Sequence, residues 1–234
     1  MAGQTQAQNR VARRSLTDTL RLHWRPTSIV WFLIALILAL TFFFPIFFMV
    51  TSSFKGENEI FATPIHLLPQ DFQGIDKYIA AFSQIPLARF FFNSFLMASI
   101  DVIVTVIFSA MAGYGFAKFK FRGQRFLFFC VLATITVPFQ ILIVPLYIQV
   151  YNYGWADTYA GLIIPGIMNA FGVFMMRQFC YAIPDELLDA ARIDGAGELR
   201  IFWQIVLPLL APASASLAVI IFLFSWNNFL WPLI

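Results

Sequence analysis

Asp185-Glu186-Leu187-Leu188-Asp189-Ala190-Ala191-Arg192-Ile193-Asp194-Gly195-Ala196 is a charged stretch set between long apolar runs, and its reading decides what kind of chain this is. Pro184 followed by two acids makes a good helix start, because proline suits the first turn and negative charge is favoured at the positive end of the helix dipole. Leu187, Ala190, Ala191 and Asp194 recur at spacings of three and four and so fall on one helical face, narrow and small because its centre is alanine. Gly195 permits the left-handed turn that ends a helix. The stretch is therefore a short helix over 185–194, a sharp turn, and a second amphipathic helix through Phe202, Ile205 and Leu207 to Pro208. Asp189 and Arg192, three apart, are placed to pair, an exposed interaction worth a few tenths of a kcal/mol (~0.2–0.5).

The rest of the chain says what this polar loop interrupts. Hydrophobic residues are 60% of the 234 and charged residues 12%, and 29 are Phe; a soluble domain carries about 25% charged residues. With a mean hydropathy of +0.78, the chain reads as an all-α polytopic membrane protein. A membrane helix needs about 20 mainly apolar residues, and five stretches qualify: 28–50, 91–113, 126–148, 159–176 and 209–231. The first is too long for a signal-peptide core and is read as an anchor. Of the 15 Lys and Arg residues, twelve fall on one side: Arg10, Arg13, Arg14, Arg21 and Arg25, then Lys118, Lys120, Arg122 and Arg125, then Arg177, Arg192 and Arg200. Only Lys55, Lys77 and Arg89 fall on the other. The positive-inside rule then puts the N-terminus and the charged loop in the cytoplasm, and explains the basic pI without nucleic acid.

The charged loop resembles the cytoplasmic EAA loop of ABC-importer permeases. That pattern is Glu-Ala-Ala, three residues, Gly, and an Ile-x-Leu-Pro ending; Asp189 stands for the Glu, and Ala190, Ala191, Asp194, Gly195, Ile205, Leu207 and Pro208 match. With Ile183-Pro184 before the loop and Trp226-Asn227 after it, the chain is similar to the carbohydrate-importing (CUT1-type) branch that includes the maltose permease G protein. The resemblance implies a type I ABC-importer transmembrane domain. It also implies a division into a cytoplasmic basic N-terminus (1–27), an anchor (28–50), an extracytoplasmic loop (51–88), and a core (89–234) carrying the EAA-like loop at 179–208. Such permeases have a sixth span; the sequence shows five and stops at Ile234, so the reading expects a chain lacking its last helix.

The resemblance further implies partners: a second homologous permease, a dimer of ABC ATPases, and an extracellular or periplasmic solute-binding protein, in a bacterial or archaeal cell membrane. ATP and Mg are bound by the partner ATPase, whose closure draws the docked helices together and turns the cavity outward; no cofactor is expected in this chain. Asp189, Ala190, Ala191, Asp194 and Gly195 are the candidate ATPase-docking residues. The chain has no phosphate-binding Gly-x-x-x-x-Gly-Lys-Ser/Thr loop. It has only two histidines, His23 and His66, so no catalytic residue is expected. Cys130 and Cys180 lack neighbours at metal-ligand spacing and read as structural thiols.

The solute path is read from composition. Gln140, Asn169, Trp226, Asn227 and Asn228 offer amides and rings of the kind that bind sugars, against the plainer reading that polar and Gly/Pro positions pack helices. Asp101 lies inside the second span, where an acid is costly. It supports either a helix–helix hydrogen bond or, in a rival reading, an ion-coupled secondary transporter. A non-transporting membrane scaffold is the third reading.

Overall fold

The computed structural model describes residues 26–234. The five N-terminal arginines, Arg10 to Arg25, lie outside them. The chain divides after Ile85 into two compact units.

In the first unit, α1 runs Pro26–Ser52, with Pro45 in its interior. No side chain between 27 and 50 is buried. A helix apolar all round with no buried face is one made for lipid or for other apolar helices. The segment after it is knitted together around α2 (Glu57–Ile60) and α3 (Asp76–Gln84). Phe54 stacks on Phe72 at 5.4 Å, and Glu59 Oε1 accepts from the Gln70 amide at 2.7 Å. The side chain of Lys55 is buried and its ammonium donates to the His66 carbonyl.

The second unit is built around α4, Leu87–Lys118. Next come α5 (Gln124–Ala133), a 3₁₀ turn at Thr134–Thr136, and α6 (Phe139–Asn152). After α7 (Tyr159–Ile163) and a second 3₁₀ turn at Ile164–Gly166 come α8 (Ala170–Tyr181) and α9 (Asp185–Ile193). A helical run continues through α10 (Glu198–Ile201), a π turn at Phe202–Val206, and α11 (Leu207–Leu209). The chain closes with α12 (Ala211–Trp226) and α13 (Leu230–Leu233). The π turn has a local cause: Pro208 lacks an N–H, and the Leu207 amide reaches back five residues to the Phe202 carbonyl.

Among the described residues three helices are long and apolar enough to cross a membrane, at Thr27–Ser52, Leu87–Lys118 and Ala211–Leu233; there are five if each bent pair counts as one span. The stretch 126–148 is not the straight helix expected. It bends by 100° between the 3₁₀ turn and α6. Pro138 forces its predecessor out of the helical region, and Val137 is extended with ψ 112°. The stretch 159–176 bends by 49° after Pro165 and Gly166.

α4 packs mainly on α8 and α12. Small residues let it approach α8: a Cβ on Gly113 would lie 2.7 Å from the Arg177 amide nitrogen, and one on Gly172 2.4 Å from Ser109 Oγ. Close backbone approach at glycine and serine is the usual way for apolar helices to associate without a hydrophobic drive between them. The core continues through Ala110, Met176 and Leu217 to Leu188, Ile201 and Val206, so the polar loop is anchored in the same apolar cluster as the long helices.

Candidate functional site

The polar loop forms a helix with the polarity its sequence dictates. Asp185 and Glu186 sit in the first turn of α9 and Arg192 in the last. Its end is closed by two hydrogen bonds at 3.0 Å, from Gly195 N–H to Arg192 O and from Ala196 N–H to Ala191 O. This is the Schellman pattern, in which the first of the two donors is itself left-handed; Gly195 is that residue, with φ +81°. Space is not the reason for glycine there, since a Cβ would meet nothing within 4 Å.

The structure divides the face read from the spacing. Leu188 is 1% exposed and Ala191 is half-buried, both packed in the core cluster. Leu187, Ala190 and Asp194 face outward, joined by Ile193, which is 86% exposed. Two apolar side chains thus flank an exposed alanine on a helix otherwise charged.

Arg192 organises the loop. Its Nη1 donates to Asp189 Oδ1 at 2.7 Å, the pair foreseen from spacing, and its Nε donates to Glu198 Oε1 at 2.7 Å across the Gly195 turn. Glu198 Oε2 accepts from the Tyr114 hydroxyl of α4 at 2.8 Å. One turn further along α4, Lys118 donates to Asp185 Oδ1 at 2.6 Å and to the Ile183 carbonyl at 2.5 Å. The charges respond to these contacts. Hydrogen bonding from Arg192 holds the Glu198 carboxyl below the usual range, and Lys118 does the same for Asp185. Arg192 is held more firmly in its charged form by Glu198 and then Asp189. Tyr114, Lys118 and Glu198 were not singled out from the sequence as partners of the loop. The available signal was a Tyr and a Lys one turn apart at the end of an apolar helix.

Arg177 is held elsewhere at this end: its Nε donates to the Phe116 carbonyl at 3.1 Å and its guanidinium lies 3.8 Å from the centre of the Phe128 ring.

The residues expected on a solute path are not gathered in one place. Asn169 caps α8, its Oδ1 accepting from Gly172 N–H at 2.9 Å. Asn227 Nδ2 donates back to the Leu223 carbonyl at 2.7 Å, and Asn228 Oδ1 accepts from Trp231 N–H at 3.4 Å. Trp226 stacks on Phe222 at 5.7 Å. Gln140 is exposed in the first turn of α6. None of these lines the open groove of about 390 Å³ between α4 and α12, whose walls include Val102, Ile103, Ala218 and Phe222. Asp101 Oδ1 accepts from Thr105 Oγ1 at 3.3 Å, and Ser225 of α12 lies beside the same carboxyl. The acid therefore sits where α4 meets α12.

A family model described as binding-protein-dependent transport system inner membrane component matches residues 105–234. The arabinooligosaccharides transport system permease protein AraQ of Halalkalibacterium halodurans is 38% identical over 194 residues, covering 82% of this chain and 69% of that protein. The sn-glycerol-3-phosphate transport system permease protein UgpE of Brucella abortus is 34% identical over 221 residues, covering 90% and 77%. Among solved structures, a chain of a bacterial ABC transporter involved in the import of the acidic polysaccharide alginate superposes with a TM-score of 0.72 at 25% identity, covering 88% of this chain and 73% of that one. The family is one of multi-pass membrane transport subunits without an ATPase site of their own. The chain belongs to the binding-protein-dependent transport system inner membrane components, and is a permease subunit of an ABC importer. Membership implies work alongside an ATPase and a solute-binding protein.

Proposed function

We propose that this permease carries a neutral sugar or oligosaccharide, and that α9 is the segment through which a separate ATPase drives it. The observation that supports the docking reading is the outward face of α9: Leu187, Ala190 and Ile193 exposed on a helix whose inner residues are sunk in the core. A knob of this shape fits a surface cleft, and the alanine at its centre permits close approach. Asp189 and Gly195 then shape the knob, Asp194 lies on its rim, and Ala191 seats it. In this reading the loop and the N-terminus are cytoplasmic, the segment 51–88 lies outside, and a second, homologous permease completes the path.

The neutral-solute reading draws on charge. None of the five apolar stretches contains a Lys or Arg, and a path for a strongly anionic solute would use such charges to concentrate it. Asn227, Asn228 and Gln140 remain candidates for sugar contact in an assembled path, while Asn169 serves the helix it caps.

The test is uptake into proteoliposomes holding the permease, its partner permease, the ATPase and the binding protein, with radiolabelled arabinotriose and sn-glycerol 3-phosphate as probes. The reading expects arabinotriose uptake that requires internal or external Mg-ATP on the ATPase side and is unaffected by collapsing ion gradients. Uptake driven by a proton or sodium gradient without ATP would contradict it and favour the secondary transporter built on Asp101; preference for the phosphate ester would contradict the neutral-solute assignment.

A further inference from the structure

α9 is nine residues long, about 13 Å at 1.5 Å per residue. It is tied to α4 at both ends by two side chains on the same face of that helix. At its start, the Lys118 ammonium, on a side chain only 7% exposed, bonds Asp185 and the Ile183 carbonyl. At its end, the Tyr114 hydroxyl bonds Glu198, which bonds Arg192 in the last turn of α9. Residues 114 and 118 are four apart, hence stacked one turn above the other on α4. Between the ties, Leu188 and Ala191 pack against the cluster that contains Ala110 and Tyr114. A helix held at one point can pivot when pulled; a helix held at two points about 10 Å apart cannot.

We propose that Tyr114 and Lys118 are positioning residues that clamp the two ends of α9 to α4, so that the two helices move as one lever. The proposal rests on α9 being the ATPase-docking helix. Lys118 works as a buried cation with two acceptors, Tyr114 as a neutral donor to an acid already held by Arg192. The two ties are chemically independent, so each can be cut without the other.

The experiment is amide hydrogen exchange on the permease assembled with its partner subunits in nanodiscs, for wild type, Tyr114→Phe, Lys118→Met and the double variant, with and without Mg-ATP and vanadate. Reporters of the start are the Ala182 and Ile183 amides, bonded to the Phe179 and Cys180 carbonyls; reporters of the end are the Asp194, Gly195 and Ala196 amides. The clamp predicts that Lys118→Met speeds exchange about tenfold at the first set alone and Tyr114→Phe about tenfold at the second set alone. It predicts that vanadate arrest changes both sets only in the double variant. Equal exchange in all four proteins, or either single change loosening both sets together, would overturn it. Co-purification of the ATPase with wild type is scored separately: its absence overturns the docking reading, while the end-selective exchange pattern still judges the clamp.

Discussion

Tyr114 and Glu198, 84 residues apart in sequence, meet through a hydrogen bond of 2.8 Å in which the phenol donates to the carboxylate. Glu198 is the hub, since the same carboxylate receives Arg192. Because Arg192 lowers its pKa below the ordinary 4.5, the contribution of the ionised form is complete above that value. It is lost only as pH falls through the depressed pKa. Protection of the Asp194–Ala196 amides is expected to be flat from pH 8 to about pH 5.5 and to fall only below the ordinary carboxylate range. The loss should be small, at most about 1 kcal/mol, because the pair is partly exposed. A midpoint near neutrality would contradict the assignment.

Gly195→Ala is expected to destabilise the turn by about 1–2 kcal/mol, the cost of a left-handed L-residue, with no steric contribution. Gly195→Asn should recover part of this loss. Amide exchange at Ala196 measures both; an equal effect of Asn and Ala would show that backbone geometry is not the constraint.

Gly172→Ala places a methyl 2.4 Å from Ser109 Oγ and 3.2 Å from Leu217 Cδ2. Overpacking of this kind costs about 1–3 kcal/mol. Adding Ser109→Ala removes the nearer atom and should restore part of the thermal stability in detergent. No rescue by the second change would mean that α4 and α8 do not meet at this pair.

Asn169→Ala is expected to cost about 1 kcal/mol as a lost helix cap, and Asn169→Ser to cost much less. The Michaelis constant for arabinotriose uptake should be the same for the Ser variant and wild type. A raised constant with unchanged thermal stability would return Asn169 to the solute path.

Much of this was legible in the residues. The loop helix, its Gly195 stop and the Asp189–Arg192 pair depend on neighbours within a few positions, where spacing is informative. So does the amphipathic run to Pro208. The 100° break at Pro138 was less legible, because hydropathy averages over a proline that the apolar stretch otherwise hides. The inward turn of Ala191 and the partners of Glu198 were not legible at all. Both are set by α4, whose Tyr114 and Lys118 are brought to the loop by packing of Gly113 and Gly172 against a neighbouring helix. Residue type alone also hid the local bonds of the solute-path candidates: Asn169 Oδ1 accepts from the Gly172 amide and Asn227 Nδ2 donates to the Leu223 carbonyl, each within four residues of itself.

The most direct measurement is co-purification of the ATPase with the permease carrying Ala190→Trp, beside Ala190→Ser, in the assembled complex. Ala190 is exposed and has no role in the core, so the bulky residue should insert and fold normally while blocking the cleft. The account predicts wild-type ATPase recovery with Ser and at least a tenfold loss with Trp. Full recovery with Trp would contradict α9 as the docking helix.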